Sequence, residues 1–183
     1  MKKATVNIFK CTLLLLASSL VLFSFIEPAE WQIFESKTLR FTIKFPGKPL
    51  ESEKTEHSGT DSALINVIQF NASADTSNNN LLYMVSHTSV NELVVSKEKK
   101  ESMFEHTITG ITTSTKGKVL SRNSVNFDAM QAEDVKIDMQ GKAIFTVRVI
   151  LTGHHYYTLG VITRPRKQEN ADIKKFLDSF KSE

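Results

Sequence analysis

Hydrophobic and polar residues alternate from Leu39 to Phe45. Leu39, Phe41, Ile43 and Phe45 share one side; Arg40, Thr42 and Lys44 share the other. Successive side chains of a strand point to opposite faces, so this pattern predicts a strand with one buried face, near a sheet edge. Pro46-Gly47 predicts its stop. Proline presets the first central position of a turn, and glycine accepts the positive φ of a type II turn at the second. Trp31 to Phe34 reads as a short strand before it. Ser62 to Ala72 and Leu81 to Val90 read as strands joined by the polar loop Thr76 to Asn80. In the first of these, Leu64, Ile68 and Phe70 lie on one face and Ala63, Ile65 and Val67 on the other. A strand that is apolar on both faces must be covered on both.

The period then lengthens. Met103, Phe104, Thr107, Ile108 and Ile111 follow helical spacing, with Lys97, Lys99, Glu101 and Glu105 on the wet side. Ser96 suits the N-cap, Glu98 the first turn and Gly110 the end. A strand block follows. Val119 to Phe127 is irregular, whereas Met130 to Met139 alternates, with Val135, Ile137 and Met139 opposite Asp134, Lys136 and Asp138. Gln140-Gly141-Lys142 is a hairpin turn signal, and Gly153 turns the chain again between Ile144–Thr152 and Tyr156–Thr163. Three strands in this order predict an antiparallel meander. Pro165 ends it. Asn170 is a fair N-cap for a last helix, whose Ile173, Phe176, Leu177 and Phe180 form an apolar stripe.

The N-terminus follows a different pattern. Lys2, Lys3 and Lys10 precede an uncharged run of 16 residues, Cys11 to Ile26. A basic start followed by an apolar segment is the layout of an export signal. A full membrane span needs about 20 residues, so a cleaved signal fits the length better than a stable anchor. The cleavage site is weak: Ala17-Ser18-Ser19 lies inside the apolar run, Ser24 with Leu22 two residues before it is tolerable, and Ala29 follows Glu27-Pro28, so a retained anchor through residues 11–26 stays open. Cys11 is the sole cysteine and lies before the apolar segment, not after it as a lipid anchor requires. A chain cut after the signal has no disulfide and no thiolate chemistry. Residues 1–29 are thus expected to be a signal peptide or membrane anchor, and residues 31–183 one domain in the periplasm or outside the cell.

Charge removes one class of partner. The whole chain carries +3; without residues 1–29 it has 20 basic and 19 acidic residues, or +1. A near-neutral domain has no electrostatic footprint for nucleic acid. The motifs remove others. There is no G-x-S-x-G elbow, no H-E-x-x-H and no glycine-rich phosphate loop. On an extended strand His154 and His155 point apart, and His57, His87 and His106 are remote in sequence. No catalytic residue, metal site or cofactor is expected. Glu133, Asp134 and Asp138 read as a solvated acidic face around Lys136. Arg148 is the sharper outlier: it sits between Ile144 and Ile150 on a central strand, where a charge needs a partner. It either pairs with Asp138 or Asp134 across the hairpin, or lines a small-ligand cleft with Tyr156.

The stretch Phe41-Thr42-Ile43-Lys44-Phe45-Pro46-Gly47-Lys48-Pro49, the helix after a strand pair, the meander and the closing Phe176-Leu177-Asp178-Ser179-Phe180-Lys181 carry a resemblance. Together they resemble the PsbP-like α/β/α sandwich group, in particular its small exported bacterial members such as the DcrB-like proteins. The similarity spans roughly residues 31–183. It implies an α+β fold, a central antiparallel sheet flanked by helices, and carries over no catalytic residue. Members of the group serve as accessory or scaffold subunits, such as the photosystem extrinsic protein. The resemblance therefore implies an exported, non-enzymatic accessory protein whose partner is another envelope protein. The alternative is a small-molecule-binding module with a cleft near Arg148. Several bacterial relatives carry a lipoprotein cysteine that this chain lacks.

Overall fold

A computed structural model describes residues 30–58, 61–90, 97–128 and 130–183. The expected signal or anchor at 1–29 with Cys11, the expected N-cap Ser96 and the side chain of His57 lie outside them. The described elements are β1 (Gln32–Ser36), β2 (Phe41–Phe45), β3 (Leu50–Ser58), β4 (Asp61–Asn71), β5 (Asn80–Ser89), α1 (Lys97–Thr115), β6 (Lys118–Phe127), β7 (Met130–Asp138), β8 (Ile144–Thr152), β9 (His155–Thr163), α2 (Ala171–Asp178) and β10 (Lys181–Ser182). Seven strands form an antiparallel sheet in the order β3-β4-β5-β9-β8-β7-β6. Three more form a small antiparallel sheet in the order β1-β2-β10.

Strand parity decides which layer covers which face. On β8, Phe145, Val147, Val149 and Leu151 cluster with Phe104 and Ile108 of α1. The opposite face of the large sheet, through Tyr83, Ile150, Tyr157 and Leu159, packs on Phe41, Ile43 and Phe45 of β2 and on Ile173, Phe176 and Leu177 of α2. One cover is therefore a helix and the other is a small sheet plus a helix. The fold is α+β, as the pattern predicts, but strand-dominated; the second cover is only partly helical. Phe180 lies just beyond α2 and is buried among Phe41, Phe127 and Tyr157, with ring centroids 5.0–6.4 Å apart.

The differences from the sequence reading are local and have physical causes. Leu39 and Arg40 form the turn before β2, with Arg40 at φ 55°. β2 is the middle strand of the small sheet rather than an edge. Gly47 is not at positive φ; it is small because a Cβ there would lie 2.5 Å from the Phe70 ring. β3 has no apolar alternation to betray it: Glu51, Glu53, Lys54 and Glu56 are all exposed on an outer strand. Helix α1 passes through Gly110 and ends at Thr115, after which Lys116 takes φ 51° and the Gly117 N–H donates to the Thr112 carbonyl. The β7–β8 hairpin turns through Gln140 (φ 59°) and Gly141 (φ 72°), the two left-handed positions of a type I′ turn. At α2 the Asn170 side chain accepts from the Ile173 N–H, as an N-cap should.

Candidate functional site

Arg148 is 8% exposed and faces α2, the side away from α1. Asp134 lies directly opposite it on β7, and the pair is bidentate, Nε to Oδ1 at 2.7 Å and Nη2 to Oδ2 at 2.8 Å. Nη1 donates to Asp178 at 3.0 Å and, longer, to the Leu177 carbonyl. The guanidinium also stacks 4.7 Å from the Phe127 ring centroid. Burial alone would lower its pKa. The hydrogen bonds and charge of Asp134, then of Asp178, outweigh that and hold it above the usual value. This cation is fully engaged in tying β7 and β8 to α2.

Tyr156 is on the other face. Its strand partner Leu151 belongs to the α1 cluster, and its hydroxyl donates to the Met103 carbonyl at 3.2 Å while bonding Thr107 Oγ1 at 2.6 Å. Burial pushes its phenol well above the usual range. Arg148 and Tyr156 are thus separated by the sheet itself, and the structure does not bring them into one cleft. The pairing of Arg148 with Asp134 across the hairpin is what it holds instead.

The three acidic residues are divided in the same way. Glu133 turns toward α1 and accepts from Arg122 Nε at 2.7 Å, and Arg122 also donates to Glu105. The hydrogen bonds from Glu133 and then Glu105 hold the Arg122 guanidinium above its ordinary value. Asp134 is bound to Arg148, and Asp138 Oδ1 accepts from the Gly141 N–H in the hairpin turn.

Two histidines remote in sequence do meet. His87 on β5 is 2% exposed, and its Nε2 shares a hydrogen bond of 2.9 Å with Nδ1 of His155 on β9, both rings lying against Tyr157. Burial, and then the charge of His155, lowers the His87 pKa to about 4. Nδ1 of His87 is buried without a hydrogen-bond partner. His154 points elsewhere and bonds the Val90 carbonyl. Among the described residues no three metal-ligating side chains gather.

The concave surface that Tyr156 borders is a groove of about 620 Å³ between α1 and the β3–β4–β5 half of the sheet. Helix α1 packs on β7 and β8 and bonds Tyr156 of β9, and the sheet continues past it. Ile65, Val67, Met84 and Phe145 make an apolar floor, with Gly110 and Ile111 of α1 along one wall. Ser86, Thr88 and Thr158 add hydroxyls. Of these lining residues only Tyr156 was singled out from sequence. The signal that could have found the rest is small polar residues on the inward parity of two otherwise apolar strands, Ser86 and Thr88 on β5 and Thr158 on β9.

No family model matches the chain, and no curated protein matches it in sequence. In structure it is similar to cyanobacterial PsbP (CyanoP) from Synechocystis sp. PCC 6803, known from its solution structure. The TM-score is 0.60 at 8% identity, covering 87% of this chain and 96% of that one. The chain therefore has a PsbP-like fold. At that identity the likeness speaks for the fold alone.

Proposed function

We propose that this chain is an exported, non-enzymatic accessory protein of the bacterial cell envelope, working by docking against another envelope protein. In this reading it is kin to the small exported, DcrB-like members of the PsbP-like group. The basic and apolar layout of residues 1–26 supports export.

The observation that carries the docking is the contrast between the two edges of the large sheet. Beyond an exposed Leu50 at its start, 71%, the β3 edge is covered with exposed charge, Glu51, Glu53, Lys54 and Glu56, the usual guard against strand pairing. The β6 edge has adjacent exposed aliphatics instead, Val119 at 38% and Leu120 at 54%. Its charges are Lys118 at the start of the strand and Arg122, which is held in ion pairs with Glu133 and Glu105. A bulge leaves Leu120 without a partner on β7, and the run Ser121–Phe127 then pairs regularly. A partner supplying an extended strand with apolar side chains would gain backbone hydrogen bonds along that run and cover Leu120.

A photo-crosslinking residue placed at 120 in the exporting cell should give one discrete adduct, and the same residue at 53 should give none. Leu120→Lys should abolish co-purification of that adduct's protein while leaving thermal stability unchanged. Equal adducts from both positions, or none from 120, would contradict the proposal. Fractionation with N-terminal sequencing tests export and separates a cut signal from a retained anchor.

A further inference from the structure

The groove beside α1 has hydrogen-bonding capacity that the described residues do not use. Ser86 and Thr158 are directly opposed on β5 and β9, and Thr88 opposes Tyr156. Directly opposed side chains of an antiparallel pair are about 5 Å apart, so one small group can touch both. The Ser86, Thr88 and Thr158 hydroxyls make no hydrogen bond to another described residue. Thr158 is buried as a residue, with its hydroxyl open to the groove. Water reaching the groove can satisfy these hydroxyls, and a hydrogen-bonding ligand group can take its place.

Gly110 points the same way. It sits inside α1, where glycine weakens a helix, and it lines the groove. A Cβ there would meet nothing within 4 Å, so packing does not demand glycine. What its lack of a side chain leaves is room along the groove wall.

Charge narrows the occupant. At the rim Lys54 and Glu56 neutralise each other at 2.7 Å, and His106 Nδ1 is bound to the Ser102 carbonyl. An ion entering the groove would lose hydration and find no unpaired opposite charge. A volume of about 620 Å³ is that of a small-molecule site.

We infer that this groove binds an uncharged small amphiphile, its apolar body on Ile65, Val67, Met84 and Ile111 and one uncharged hydrogen-bonding group between the hydroxyls of Ser86 and Thr158. The site is on a different surface from the β6 edge, so either can fail without the other.

The test uses the full chain and Nile red, an uncharged dye with an apolar body and a carbonyl acceptor. The wild type should bind it saturably with a blue-shifted emission. Gly110→Leu fills the groove while favouring the helix; it should weaken binding at least tenfold with an unchanged or higher melting temperature. Ser86→Ala with Thr158→Val keeps the shape and removes the hydroxyls; it should weaken binding about fivefold. The anionic dye 1-anilinonaphthalene-8-sulfonate should bind at least tenfold more weakly than Nile red. Absent saturable binding, equal binding by the wild type and a folded Gly110→Leu, or preference for the anionic dye would each overturn the assignment. Equal binding by the wild type and the hydroxyl-free variant would do the same.

Discussion

The two faces of the seven-stranded sheet are finished differently. The face toward α2 is sealed. Phe41, Phe45, Tyr83, Phe176 and Phe180 interlock there in edge-on and stacked pairs, and its buried cation Arg148 has its partners within the fold. The face toward α1 is sealed only over β7 and β8, where Phe104 and Ile108 meet Val135, Ile137, Val147 and Val149. Beyond Tyr156 the same face becomes a groove whose Ser86, Thr88 and Thr158 hydroxyls bond no described residue. The difference teaches where to look: a buried charge with every partner in place reports on stability, whereas open space bordered by unused donors reports on binding.

Substitutions on the sealed face should break this comparison most visibly. Phe180→Ala removes a ring packed on three aromatic neighbours and should cost about 3–5 kcal/mol in chemical denaturation. A loss under 1 kcal/mol would mean that the small sheet and C-terminal segment are not part of one cooperative core. Asp134→Ala strips Arg148 of its bidentate partner and leaves Asp178; a loss of roughly 2–3 kcal/mol is expected. Replacing both, Asp134→Leu with Arg148→Met, should cost less than Asp134→Ala alone, because no buried charge is then left unpaired. The reverse order would mean that the ion pair itself stabilises the face.

The histidine pair adds a pH dependence to the same face. The folded His87 pKa, about 4, lies below its ordinary value of 6.5. Between those values the unfolded chain binds the proton and the folded chain resists it. Stability is therefore complete above about pH 6.5 and is lost as pH falls toward 4, by on the order of 3 kcal/mol. His155 is lowered in the same direction, by burial and then by the charges of Arg40 and His154. His87→Phe should flatten urea midpoints measured between pH 7 and 4.5. An unchanged slope would place the proton-linked loss elsewhere.

The smallest effect belongs to the other face and has the opposite sign. Gly110→Ala should stabilise by about 0.5–1 kcal/mol, since the position is an exposed helix interior with free space around it. A destabilisation of that size would show that the helix wall already contacts something at Gly110.

Much of this was readable from residue patterns, and the failures are instructive. Alternation located β2, β4, β7 and β8 because each presents an apolar face to a cover. It missed β3, whose charges protect an outer strand and leave no apolar period to detect. It ended α1 at Gly110 because glycine commonly stops helices, while the chain continued to a positive-φ Lys116 and Gly117. For the site, the sequence marked Arg148 as a buried charge in need of a partner and offered Asp134 among the candidates. It could not tell that Tyr156 faces the other way, because that depends on the register across the Gly153 turn. Nor could it bring His87 to His155, since β5 and β9 become neighbours only when the sheet assembles.

The most direct test of the division between faces is to follow backbone amides of the ¹⁵N-labelled full chain by NMR while Nile red is added. Saturable shifts should concentrate at Ser86, Gly110, Ile111 and Thr158, with Asp134, Arg148 and Asp178 unmoved. Shifts centred on Arg148 and α2, or confined to residues 1–29, would contradict the account.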